Sequence, residues 1–132
     1  MTLVPIGRIR SPLRSLAEAP KQGSEGAPNA WIDVDAAYSS ALLGLHEGDD
    51  IIVLTWLDRA DRAVLQVHPR GDPRNAIAGV FATRSPHRPN PIGLHRVTIR
   101  EIADLHLLVG PIEAVDGTPV VDLKVVLDSD EA

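Results

Sequence analysis

Between Gly79 and Leu94 the chain reads Gly-Val-Phe-Ala-Thr-Arg-Ser-Pro-His-Arg-Pro-Asn-Pro-Ile-Gly-Leu. Pro86, Pro89 and Pro91 each fix φ and lack an amide donor, and each pushes the residue before it, Ser85, Arg88 or Asn90, into extended backbone. No helix runs through such a segment, and a plain hairpin turn needs far less. Apolar runs flank it on both sides, so the fold has to carry a stiff, basic interruption between two strands.

The runs elsewhere are also short and strand-like. Val4 to Arg10 reads as a first strand, ended by Ser11-Pro12. Ser15 to Ala30 is a loop of Ala, Pro, Gly, Ser and charge, too long for a mere connector. Trp31 to Val34 alternates as a second strand. Asp35 is then a natural N-cap for a short helix over Ala36 to Leu43, with Gly44 as its stop. Ile51 to Leu57 is a continuous apolar run, expected to be the most buried strand. Ala63 to His68, Ala78 to Thr83, Leu94 to Ile102, Leu105 to Gly110 and Val120 to Leu127 complete the series. In Leu94 to Ile102, Val97 and Ile99 share one face, and Arg96, Thr98 and Arg100 the other. The acidic tail, Asp128 to Ala132, is expected to be frayed. We therefore expect one domain over 1–132: a mainly β, compact barrel of about seven strands with one short helix, and not a Rossmann fold.

Composition supports that reading. A 132-residue chain can bury roughly two-thirds of the surface it exposes when unfolded. Apolar residues make up 44% of it but aromatics only 3%, so the core is made of Val, Ile, Leu and Ala, which suits strands. There is no cysteine, hence no disulfide framework, thiolate metal site or thiol nucleophile. No apolar run approaches the roughly 20 residues of a membrane span, and Met1 to Arg10 lacks a signal-peptide core. The expectation is a cytoplasmic protein with no membrane partner. The net charge of −5 argues against a large nucleic-acid footprint, although arginines cluster between Arg70 and Arg100.

Several chemistries are excluded by pattern. His46, His68, His87, His95 and His106 lack zinc-site spacing, and no metal is expected. Ser85 is not on a nucleophile elbow, and neither phosphate-loop nor dinucleotide fingerprints occur. What remains is a stiff loop bearing Arg84 and Arg88, whose planar forks suit a carboxylate or phosphate. A second specified turn carries Glu113, Asp116, Gly117 and Thr118. Basic and acidic groups on two stiff loops suit a zwitterion.

The Gly79 to Leu94 stretch closely resembles the signature of the TrmO (YaeB, TsaA-like) family of S-adenosylmethionine-dependent enzymes. That family N6-methylates threonylcarbamoyladenosine at position 37 of tRNA. Pro5-Ile6-Gly7-Arg8-Ile9 with Ser11-Pro12 resembles its opening strand, Pro20-Lys21-Gln22 its first cofactor loop, and Asp116-Gly117-Thr118-Pro119-Val120-Val121-Asp122-Leu123-Lys124 its closing motif. The resemblance implies a β-barrel methyltransferase working as a homodimer. It also implies a cofactor pocket of Gln22, Gly23, Asp58, Arg59, Arg84, Leu94, Glu113 and Asp116, with Arg88, Asn90 and Lys124 on the substrate or loop side. In that pocket Arg84 or Arg88 pairs the cofactor carboxylate, Glu113 or Asp116 accepts from its ammonium and ribose hydroxyls, and Leu94 walls its adenine. Asp58, Asp116 and Asp122 are the candidate bases, while Asp122 and Lys124 equally suit an ion pair at the barrel mouth. The chain departs from the family pattern at Asp58, His95, Glu113 and Lys124-Val125-Val126. Two other readings stay open: the same cofactor chemistry on a small molecule, and a non-enzymatic binding module that uses Arg84 to Pro91 as an extended docking segment.

Overall fold

The computed structural model describes residues 1–14 and 26–127. Gln22, Gly23, the Pro20-Lys21-Gln22 motif and the tail from Asp128 to Ala132 lie outside those residues.

Among the described residues eight strands form in chain order: β1 (Gly7–Arg10), β2 (Ala30–Val34), β3 (Asp50–Trp56), β4 (Gln66–Val67), β5 (Ala78–Gly79), β6 (Ile92–Ala103), β7 (His106–Gly110) and β8 (Pro119–Val125). Six of them close into a barrel in the order β1-β2-β7-β6-β3-β8, while β4 and β5 make a separate two-stranded sheet. Closure is completed by the pairing of Gly7 with Val120 and of Arg8 with Pro119, so no barrel edge is left open.

Alternation decides which residues fill the interior. Ile9, Ile32, Ile51, Val53, Val97, Ile99, Leu107, Val109 and Val120 point inward and are almost fully buried, and Ile112 joins them from the β7–β8 connection. Their packing holds the barrel closed, each such side chain contributing about 1.5–3 kcal/mol on burial. Among the described residues the buried hydrophobic side chains include no aromatic one, in line with the low aromatic content. Tyr38, Leu42 and Leu45 pack on this core from the β2–β3 connection.

The strand limits differ from the pattern in instructive ways. The apolar run from Ile51 does not form a wholly buried strand: Ile51, Val53 and Thr55 are buried while Ile52, Leu54 and Trp56 are half-buried on the outer wall. A barrel this narrow has one packed face per strand. Ala63 to His68 shrinks to Gln66–Val67, and Ala78 to Thr83 to Ala78–Gly79, because only the Gln66–Gly79 and Val67–Ala78 pairs find ladder partners. Val80–Ala82 turns instead into a single 3-10 turn. The helix after Asp35 is also 3-10, Ala36–Leu42, broken at Tyr38. Its N-cap is as read, with the Asp35 carboxylate accepting from the Ala37 amide at 3.1 Å.

All barrel pairings are antiparallel, so connections alternate between the two ends. The β1–β2, β3–β6 and β7–β8 connections leave from one end. The β2–β3 and β6–β7 connections leave from the other. The two stiff loops singled out by sequence therefore emerge at the same mouth. Among the described residues no helix is long and apolar enough to cross a membrane.

Candidate active site

The β3–β6 connection is held in shape by two arginines. Arg88 donates through Nε to the Ser85 carbonyl at 2.8 Å, and through Nη2 to the carbonyls of Val80 and Thr83 at 2.8 and 2.6 Å. The Thr83 hydroxyl donates to Val80 and accepts from the Ser85 amide, and the Ser85 hydroxyl accepts from the His87 amide. Arg88 is thus the hub of its own loop. Arg62 grips the far side: Nε donates to the Pro89 carbonyl at 2.7 Å, Nη2 donates to Asn90 Oδ1 at 3.1 Å, and the guanidinium stacks 5.2 Å over the Trp56 ring. The Asp61 amide donates to His87 Nδ1. Prolines and these bonds together make the loop rigid before anything binds.

Arg84 differs from both. It is exposed and makes no hydrogen bond or ion pair with any described residue, so its planar fork is available. Of the two arginines singled out by sequence, one builds the loop and the other is displayed by it.

The β7–β8 connection also sorts its acids. Asp116 accepts from the Ser11 amide at 3.0 Å and pairs with Arg14 at 3.2 Å, while its own amide donates to the Leu13 carbonyl. Gly117, at φ +85°, turns the chain so that its amide reaches the Ile9 carbonyl, a backbone region that favours glycine. The Thr118 hydroxyl donates to Val115. Asp116 therefore latches the Ser11 to Arg14 segment onto this loop, and the Arg59 guanidinium donates to the Arg14 carbonyl at 2.8 Å from the other side. Asp58 is exposed beside it.

Glu113 goes inward. Its Oε1 lies 2.7 Å from Nδ1 of His95, whose Nε2 lies 2.9 Å from the hydroxyl of Thr55. A carboxylate only accepts, so Nδ1 donates; in the neutral ring Nε2 then accepts from the Thr55 hydroxyl. Thr55 and His95 are buried on neighbouring strands, with Thr55 opposite Gly93 and Val53 opposite His95. A β-bulge opposite Thr55, where the β8 register shifts past Val121, sits at the same level. Bulges are over-represented next to active sites.

Leu94, Asp122 and Lys124 are not part of this cluster. Leu94 pairs with Leu54, and Leu54 with Asp122, so Leu94 and Asp122 share the outer wall, one residue out of phase with buried His95. Lys124 lies 3.7 Å from Asp122. That ion pair forms on the wall opposite Ile52 and Leu54.

Thr55 and Arg62 were not singled out by sequence, and His95 entered only as one of five histidines without zinc-site spacing and as a departure from the family pattern. His95 stands two residues before Val97 and four before Ile99 on their inward face, and that phase is the signal that places it in the interior.

The profile of the tRNA-methyltransferase O N-terminal domain matches residues 8–130. The chain belongs to the TrmO family. A crystal structure of TrmO from Pseudomonas aeruginosa superposes with a TM-score of 0.78 at 29% identity, covering all of this chain and 57% of that one. A probable S-adenosyl-L-methionine-binding protein of Methanothermobacter thermautotrophicus is 42% identical over 91% of this chain and 85% of its own length. Another, from Archaeoglobus fulgidus, is 44% identical over 90% of this chain, which spans only 32% of that protein. The chain thus spans about a third to a little over half of some of these relatives and most of the length of another.

Proposed function

We propose that this protein is an S-adenosylmethionine-dependent methyltransferase that methylates N6 of threonylcarbamoyladenosine at position 37 of tRNA. The observation that carries the reading is the division of labour at the barrel mouth: Arg88 and Arg62 spend their donors on the loop, leaving Arg84 exposed and unpaired on a prebuilt frame. Family membership and the names of the archaeal relatives support the choice of cofactor.

The residues present fit that cofactor's charges. Arg84 offers a fork for a carboxylate. Glu113 has one oxygen engaged by His95 and leaves Oε2 for an ammonium or ribose hydroxyls. Gln22, Gly23, Asp58 and Arg59 complete the proposed pocket, framed by Arg88, Asn90 and Asp116, with Leu94 and Lys124 assigned by resemblance. When bound, S-adenosylmethionine supplies an electrophilic methyl group on a sulfonium. The chain's part is to hold donor and acceptor in line, and orientation of that kind is worth an effective molarity of about 10⁵ M or more. Asp58, exposed beside the frame, is the proposed proton acceptor; Asp116 and Asp122, the other two candidates, are already engaged by Ser11 and Arg14 and by Lys124.

We also propose that the protein is a cytoplasmic homodimer; Leu65, Ile77 and Phe81, exposed around β4 and β5, suit a covered face. A small-molecule acceptor is the rival reading, favoured by the net charge of −5. Binding of tRNA at rising salt separates the two, because phosphate contacts make log affinity fall linearly with log salt. Methylation of tRNA carrying the modified adenosine is the expected result. Absence of tRNA affinity at low salt, with the cofactor bound, overturns the tRNA reading.

A further inference from the structure

At the loop-bearing end of an otherwise apolar interior, Thr55, His95 and Glu113 form a single hydrogen-bonded row. Exposure rises along it, from 0% at Thr55 and 7% at His95 to 23% for the Glu113 side chain. Hydroxyl, imidazole and carboxylate are connected in the order of an acyl-transfer triad. Here, however, the hydroxyl is at the closed end, where no substrate reaches it, and the carboxylate is at the open end. The row works outward, toward Glu113.

The surroundings fix the ring. Both ring nitrogens are engaged and Thr55 and His95 are buried, so a ring flip costs both bonds. Gly93 leaves the space they need: a Cβ there would collide with the Thr55 hydroxyl and come within 2.8 Å of His95 Nε2. The glycine of Pro91-Ile92-Gly93 is thus required by the side-chain pair beside it. Glu113 would otherwise have several rotamers to lose on binding.

We propose that Thr55 and His95 are positioning residues that fix one oxygen of Glu113 and so present the other, unpartnered among the described residues, to the ammonium or ribose hydroxyls of the cofactor. This rests on the cofactor reading above. Fixing the acceptor beforehand reduces the entropy lost when the ligand arrives.

Two substitutions separate positioning from packing. In His95→Asn the carboxamide nitrogen stands near the place of Nδ1 and keeps a donor for Glu113. In His95→Gln the amide reaches toward Thr55, and the donor facing Glu113 is lost. Calorimetric titration with S-adenosylmethionine, alongside thermal melts, is expected to show His95→Asn within about threefold of wild type and His95→Gln weaker by about tenfold, the size of one lost hydrogen bond. Wild-type binding with both variants equally affected, or neither, overturns the positioning role and leaves the cofactor reading intact. Absence of wild-type binding overturns both. Where His95→Gln does not melt cooperatively, Glu113→Gln takes its place: about tenfold weaker binding is expected, and unchanged affinity overturns the proposal.

Discussion

The guanidinium of Arg88 reaches the carbonyl of Thr83 at 2.6 Å, five residues back along its own loop. With its bonds to Val80 and Ser85, this makes Arg88 the internal brace of the proline-rich segment. Arg88→Ala should loosen that segment by about 1.5–3 kcal/mol for each charge-assisted bond that matters, without unfolding the barrel. Hydrogen exchange is the check: the amides of Ser85 and His87 should exchange faster in the variant, while those of β6 keep their protection.

The barrel interior should tolerate truncation poorly. Ile99 is 1% exposed on the inward face of β6, and Ile99→Ala should cost about 2–5 kcal/mol through lost burial and the cavity left behind. Urea denaturation measures this directly. A much smaller loss would mean that the interior collapses around the gap.

Gly93→Ala tests the close approach behind Thr55 and His95. The added methyl would meet the Thr55 hydroxyl and His95 Nε2, so overpacking of about 1–3 kcal/mol is expected. The loss should shrink when Thr55→Ala is combined with it, because the atom in the way is gone. A double-mutant cycle reads that coupling.

On the outside of the barrel, Asp33 joins three strands. Its carboxylate accepts two bonds from Arg10 at 2.9 Å and one from His106 at 2.8 Å. The Arg10 hydrogen bond, and behind it that of His106, holds the Asp33 pKa below the ordinary 3.8. A lowered folded-state pKa contributes stability that is complete above the unfolded value and disappears as pH falls through the folded one. The wild type should therefore lose melting temperature below about pH 4 more steeply than Asp33→Asn. Asp33 is 35% exposed, so the difference should be small and should weaken with salt.

Much of this arrangement was legible in the residues. Alternation at Val97 and Ile99 gives the inward face of β6, and the shortage of aromatics matches an aliphatic interior. Asp35 caps its helix as expected. Ala63 to Leu65 misled because alternation alone does not provide a ladder partner, and only two pairs form between β4 and β5. The difference between Arg84 and Arg88 was invisible, since both carry the same fork and only folding shows which carbonyls lie within reach. Arg62 was hidden in a polar turn because its partners, Pro89 and Asn90, lie 27 and 28 residues away. His95 was read only as one of five histidines and as a departure from the family pattern, although its phase on β6 places it in the interior.

Titration calorimetry with S-adenosylmethionine on wild type and Arg84→Ala tests the central claim most directly. Arg84 has no partner to lose within the described chain, so the substitution should leave the melting temperature unchanged. The account predicts measurable binding by wild type and a loss of about tenfold or more in Arg84→Ala, as expected for a charge-assisted bond to a carboxylate. Wild type without binding, or Arg84→Ala binding equally well, would contradict it.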